Sequence, residues 1–266
     1  MIQTTLYEDV LQFTLCRYDQ LIPGAAVSAY LVDGLLIDTG PAHTAEELAG
    51  LLENHEVKAV VNTHHHEDHI AANKLLQDRF GVDIFAHPLA LNKINRPADL
   101  YPYQVEVWGY PVPSQVKPLG RHLRTDDYRF EIIPTPGHDR DHICLFDSEH
   151  GRLFSGDLFL GTKPVHSRPM EDNWQIIEDL KQVRRLKPRI IFSASGNVLT
   201  DSIKRLDAVI AALEDLGGRI GQFHLQGLTA QQIMERIFGR ENPLAEATQF
   251  QFSSLNLVKS FLKGLP

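Results

Sequence analysis

Apolar positions along this chain follow two periods, and their alternation predicts most of its elements. Val10 to Cys16, Ala25 to Val32 and Leu35 to Ile37 read as strands, the last two joined by a turn at Asp33 and Gly34. The third strand closes on Asp38, Thr39, Gly40 and Pro41, either a plain turn or a carboxylate placed to support a site behind it. Thr44 is placed to cap a helix through about Asn54, with Glu46 and Glu47 in the first turn where the helix dipole favours acids. A strand at Lys58 to Asn62, a helix carrying Ile70, Leu75 and Leu76 to Phe80, and a strand at Asp83 to Ala86 follow. Strand and helix in this alternation predict a sheet covered by helices.

From Pro88 to Pro118 the pattern degrades. Pro97, Pro102, Pro111 and Pro113, interleaved with Tyr101, Tyr103, Trp108 and Tyr110, predict an irregular segment that either anchors itself to the core by its aromatics or overhangs a pocket. Strands resume at Tyr128 to Ile133, His142 to Asp147 and Leu153 to Leu158. A helix from Asp172 to about Lys187 shows Trp174, Ile177, Leu180 and Val183 on one stripe, and a strand at Ile190 to Ser193 follows. The basic run Lys181 to Arg189 reads as a solvated helix end or as a seat for an anionic substrate tail. Beyond Thr200 only helical spacing remains: one helix to Leu216, a second through Phe238 with a capping box at Thr229 and Gln232, and a last one after Ser254 through Leu262. We therefore expect a main domain over residues 1–198 and a helical appendage over 199–266.

With 266 residues, 43% hydrophobic and 23% charged, the chain can bury a substantial core. A net charge of −8 argues against broad nucleic-acid binding. The N-terminus lacks a signal-peptide pattern and no apolar run approaches 18 residues, so a cytoplasmic protein without membrane contact is expected. Cys16 and Cys144 form no CxxC and fit a reducing compartment.

Chemistry concentrates in THHHEDH, Thr63 to His69, directly after the apolar run Ala59 to Val61. Imidazoles and carboxylates packed this densely need a partner for their nitrogens, and a divalent cation such as zinc or ferrous iron is one. If strand geometry persists, His64 and His66 leave on one face while His65 points away, and Asp68 and His69 reach a second point at the helix start. Two further stretches stand at strand ends: TPGHDRDH, which presents His138, and SGDLF, which presents Asp157.

THHHEDH, TPGHDRDH and SGDLF, with DTG ahead of them, together resemble the metallo-β-lactamase superfamily over roughly residues 20 to 200. The resemblance implies an α/β fold, a four-layer αββα sandwich here followed by the helical appendage. It assigns His64, His66 and His138 to one metal site, Asp68 and His69 to a second, and Asp157 to a bridge between them. Where the family usually has a further histidine after the last strand, this chain reads Ala194, Ser195, Gly196. Two divalent ions, zinc first, are expected; Ser195 leaves a single zinc or iron as the competitor.

The implied activity is hydrolysis of a small-molecule ester, thioester or lactone by metal-generated hydroxide, with Asp68 both a ligand and a catalytic proton acceptor. THHHEDH is similar to glyoxalase II type thioesterases, whereas TPGHDRDH followed by a helical tail resembles ribonuclease and phosphodiesterase relatives. A mononuclear-iron persulfide dioxygenase and a metal-binding module without turnover are the readings from other classes. His142 is expected either to line the pocket or to make a structural hydrogen bond. A homodimer is compatible with all of these.

Overall fold

Strands buried on both faces need cover on both faces, and this chain supplies it by stacking two sheets between two layers of helices. The computed structural model describes residues 1–22, 24–96 and 99–263; Pro97 of the proline-rich segment lies outside the described residues. The first sheet runs in sequence order through β1 (Ile2–Tyr7), β2 (Val10–Leu15), β3 (Val27–Val32), β4 (Leu35–Ile37), β5 (Ala59–Val61), β6 (Asp83–Ala86) and β7 (Val116–Pro118). Its first four strands pair antiparallel and the rest parallel. The second sheet contains β8 (His122–Arg124), β9 (Arg129–Pro134), β10 (Ile143–Asp147), β11 (Arg152–Gly156), β12 (Ile190–Ser193) and β13 (Val198–Leu199), side by side in that order.

Alternation along single strands assigns the layers. On β3, Tyr30 and Val32 enter the core between the sheets, while Ala29 and Leu31 face the helices. On β10, Ile143 and Leu145 join the inter-sheet core, and Cys144 and Phe146 face the opposite helical layer. Helix α1 (Ala45–Leu52) contributes Leu48 and Leu52 to the outer core of the first sheet. The short α2 (Glu67–Ile70) contributes Ile70 and α3 (Asn73–Phe80) contributes Leu76 to the same core. Between β6 and β7 of the first sheet come α4 (Leu91–Asn95) and α5 (Pro102–Val107). The second sheet is covered by α6 (Asn173–Arg185), α7 (Ser202–Leu225), α8 (Ala230–Phe238) and α10 (Ser254–Leu262), which share one continuous cluster with β10 and β11; α9 (Leu244–Ala247) precedes the last helix. The result is the expected αββα sandwich with C-terminal helices.

Several local expectations are corrected. Thr44 sits at the N-cap of α1, but its hydroxyl donates to the Pro41 carbonyl 3.1 Å away instead of capping the helix. The helix expected to run unbroken to Phe80 is two helices, separated at Ala71 and Ala72. The proline-rich segment holds α4, α5 and β7, with Tyr101 and Gln104 forming a reciprocal cap on α5. β1, β8 and β13 were not expected: they are sheet margins, exposed or half-buried along most of their length, so no apolar alternation marks them. Of the basic run, Lys181 pairs with Glu178 and Glu214, Arg184 with Asp207 and Arg189 with Glu8 at the surface.

Candidate metal centre

Every motif residue sits at the same edge of the sandwich, where strands end. β5 stops at Val61, so strand geometry does not persist and His64 and His66 stand on the loop between β5 and α2. Their rings nevertheless converge, because the loop is pinned from behind by Asp38. That carboxylate accepts the Thr63 backbone N–H at 2.7 Å, the Thr63 hydroxyl at 2.7 Å and His69 Nδ1–H at 2.8 Å. Asp38, itself at a positive φ of 59°, is thus a support and not merely a turn residue. The glycine of SGD is equally specific. A side chain on Gly156 would stand 2.6 Å from His142 Nε2, and a bulge in the β11–β12 pairing at this point turns Asp157 toward the histidines.

Hydrogen bonds fix the imidazole tautomers. Thr63 Oγ1, which donates to Asp38, must accept from His64 Nδ1–H at 3.0 Å, leaving His64 Nε2 as a bare lone pair. His138 Nδ1–H donates to Glu171 Oε1 at 3.0 Å, leaving its Nε2 bare too. Those two nitrogens flank His66 Nδ1 at 2.8 and 3.2 Å, and Asp157 Oδ2 lies 3.8 Å from His64 Nε2 and 3.4 Å from His138 Nε2. Ligand atoms about 2.0–2.1 Å from a tetrahedral zinc stand roughly 3.3 Å apart, so this quartet has the dimensions of such a site. Beside it, His69 Nε2 lies 3.4 Å from Asp157 Oδ1 and 3.7 Å from Asp68 Oδ2. Among the described residues neither His69 Nε2 nor Asp68 Oδ1, both buried, has a hydrogen-bond partner. Buried polar atoms are rarely left so, and a second cation satisfies both. The donor set therefore fits two adjacent divalent ions.

Electrostatics agree. Burial, then the neighbouring histidines, holds His64 well below the usual imidazole range; burial, then Arg168, does the same to His66, so both rings are neutral. Burial also disfavours charge on His69, but Asp38, Asp157 and Asp68 outweigh it and raise it well above its ordinary value. The negative field that favours a proton there favours a metal cation equally. Burial pushes Asp68 up to about 6, whereas Asp157 is lowered because His69 and His138 outweigh its burial.

Sequence reasoning left His142 with two roles, and the structure assigns the structural one. Its Nε2 accepts the Asp157 backbone N–H at 3.0 Å and its Nδ1–H donates to Thr135 Oγ1 at 2.7 Å, so neither nitrogen is free for substrate. His65 points away as expected, toward Asp141. A second cluster of His65, His66 and Asp139 has metal-like spacing, but Lys93 Nζ lies 2.9 Å from Asp139 and already supplies the cation. The Ser195 hydroxyl is engaged by Ser193 Oγ and Asn197 Nδ2, each at 2.9 Å, which are its partners among the described residues.

Three residues at this edge carried no sequence signal: Glu171 orients His138, Gln104 Nε2 donates to Glu67 at 2.6 Å, and Arg168 lines a cleft of about 160 Å³ that reaches His66. Tyr103, from the aromatic and proline-rich segment, lines the same cleft. A larger depression of about 430 Å³, bordered by Lys58 and Arg124, opens elsewhere between the sheets and includes none of the motif residues.

With the geometry in place, comparison with known proteins is decisive at the family level. The sequence model of the metallo-beta-lactamase superfamily matches residues 22–195. The chain belongs to that superfamily. Among superfamily relatives, a beta-lactamase-like protein 2 homolog of Drosophila melanogaster is 26% identical, covering 79% of this chain and 71% of its own. A probable metallo-hydrolase of Bacillus subtilis, YybB, is 30% identical over 62% of this chain and 76% of its own. A hydroxyacylglutathione hydrolase of Rhizobium etli is 31% identical, but over only 47% of this chain and 43% of its own length. In structure, a metallo-beta-lactamase family protein of Thermus thermophilus superposes with a TM-score of 0.67 at 20% identity, covering 95% of this chain and 92% of its own. TTHA1623, solved in a di-iron-bound form, superposes with a TM-score of 0.56 at 26% identity over 70% of this chain and 96% of its own. These superfamily relatives support a metal-dependent hydrolase. Among the described residues no helix is long and apolar enough to cross a membrane.

Proposed function

We propose that this protein is a dinuclear, zinc-dependent hydrolase of small-molecule esters, thioesters or lactones. The observation that carries the reading is the pair of buried, partnerless ligand atoms, His69 Nε2 and Asp68 Oδ1, beside the convergent nitrogens of His64, His66 and His138. When bound, the metal pair supplies Lewis acidity that acidifies water and polarises the oxygen under attack. His64, His66, His138 and Asp157 would hold one ion; Asp68, His69 and Asp157 would hold the other.

The protein's own groups do the rest. Asp68 has two carboxylate oxygens, so one can serve as a ligand while the other accepts the proton released by the attacking water. Asp38 and Glu171 hold His69 and His138 in the tautomers that present Nε2 forward. The cleft of about 160 Å³ is sized for a compact acyl group. Its size, with a net charge of −8, favours small molecules over nucleic acid. Cys16 and Cys144, buried and unpaired, suit a reducing, cytoplasmic setting.

A second reading has one specific support. Ser195, tied to Ser193 and Asn197, offers little to a second ion, and one iron at the histidine position would suit thiol-dependent oxygen chemistry. Elemental analysis of protein purified without chelators, followed by a panel of S-acyl thiols, lactones and bis-p-nitrophenyl phosphate, tests both. Two zinc ions with turnover of carboxylic esters are expected. One iron with thiol-dependent oxygen uptake, or turnover confined to the phosphodiester, would overturn the first reading.

A further inference from the structure

One charged side chain at the cleft has no task in the hydrolysis just described. Arg168 is only 6% exposed, yet among the described residues its guanidinium makes no hydrogen bond and no ion pair. The Phe252 ring lies beneath it, 4.9 Å from Cζ. Nearby acids are already committed. Glu67 accepts from Gln104, and Glu171 accepts from His138 at one oxygen and from the Arg168 backbone N–H at the other, 3.1 Å away. Asp68 is close enough to be felt electrostatically but makes no ion pair with it.

Arg168 Nε is buried without a hydrogen-bond partner among the described residues, which is costly, and the rest of the rigid guanidinium fork carries further N–H donors beside it. The residue is also rigidly placed. Ser167 pairs with Ser253 through two backbone hydrogen bonds of 3.1 and 3.3 Å, fixing the backbone on one side of Arg168, and the Glu171 contact fixes it on the other. The cleft it lines also holds His66, the one metal-type ligand on that surface, together with Tyr103. Tyr103 and Phe252 meet edge to face, 6.1 Å between centroids, so the pocket beside the guanidinium is aromatic-walled.

We propose that Arg168 is the receptor for a free carboxylate on the substrate, so that the preferred substrates are esters, thioesters or lactones of acids bearing a second, ionised carboxyl group. A planar carboxylate matches the guanidinium fork in two parallel hydrogen bonds, which a lone lysine could not offer. The cleft's roughly 160 Å³ limits the spacer between the two carboxyl carbons to a short chain. This inference rests on the hydrolase reading for what is cleaved but not for what is bound.

Two measurements on the zinc-loaded protein separate those claims. The first compares kcat/KM for the mono-4-nitrophenyl ester of glutarate with that for 4-nitrophenyl pentanoate. Wild type should favour the anionic ester by about 10–100-fold, the range for a charge-assisted hydrogen-bond pair. Arg168→Gln should remove at least nine-tenths of that preference, chiefly through KM for the anionic ester, and Arg168→Lys should restore part of it. The second compares calorimetric binding of glutarate and pentanoate, where turnover plays no role; glutarate should bind at least about tenfold tighter, and Arg168→Gln should erase the difference. Should neither ester be cleaved while glutarate still binds preferentially through Arg168, the hydrolase reading falls and the carboxylate receptor stands. Equal handling of both esters and both acids by wild type, or a preference unchanged in both variants, overturns the receptor. If Arg168→Gln fails to fold, the lysine variant decides by the same ratios.

Discussion

Asp38→Asn is the sharpest test of how the site is held together. The substitution keeps one carbonyl oxygen to accept the Thr63 N–H, but it places an amide NH2 against two donors, the Thr63 hydroxyl at 2.7 Å and His69 Nδ1–H at 2.8 Å. Each lost charge-assisted bond is worth about 1.5–3 kcal/mol when buried. Rotation of the Thr63 hydroxyl recovers part of this, so a net loss of about 3 kcal/mol is expected. For a chain of this size that corresponds to a melting temperature lower by roughly 6–10 °C. His69 is left free to turn or change tautomer, and affinity for the ion it holds should fall about 10–100-fold while the histidine quartet is less affected. Calorimetry of the melting transition and zinc titration against a chromophoric chelator read the two effects. A variant that melts like wild type and binds both ions with unchanged affinity would refute the claim that Asp38 supports His69.

Chelator treatment should lower the melting temperature and zinc should restore it, since an ion at about a thousand times its dissociation constant contributes about 4 kcal/mol; identical melting curves would count against a metal site. Gly156→Ala should cost about 3 kcal/mol, because the added methyl meets His142 Nε2 at 2.6 Å and Thr63 at 3.0 Å with φ at 48°. Gly50→Ala in α1, with open space around it, should be neutral or stabilising, urea titration reading both glycine variants. Glu8 is drawn down from 4.5 to about 2 by hydrogen bonds from Arg189 and Arg152. Its folded-state value is depressed, so its contribution is present above pH 4.5 and is lost as pH falls toward 2. Glu8→Gln should therefore cost up to about 1 kcal/mol at pH 7, discounted for its exposure, and next to nothing at pH 2, measured by denaturant unfolding at both values.

The ligand-type residues were legible because their chemistry is concentrated: THHHEDH, His138 and Asp157 each sit at a strand end that the hydrophobic pattern had already located. The four layers were implied by the family resemblance; the alternation of strand and helix predicted only a helix-covered sheet, and β3, buried at every position, shows in the structure why cover is needed on both faces. What could not be read was whatever depends on distant partners. Glu171 lies 33 residues from the histidine it orients, and Arg168 owes its setting to Phe252 and Ser253 near the chain's end. Thr44 shows the same limit on a small scale. Its position is that of a cap, yet its hydroxyl is taken by a neighbouring carbonyl, a choice that local sequence does not encode. The sheet margins escaped because exposed strands need no apolar alternation.

Phe252 stacks on Arg168 from the loop ahead of the last helix, and Tyr103 of α5 meets Phe252 edge to face. On the proposed reading, one wall of the entry to the site is thus lent by two stretches that supply no imidazole to the cluster, while His66 lines the same cleft. Exchanging residues near 103 or 252 therefore offers a way to change what enters while leaving the ligand set in place.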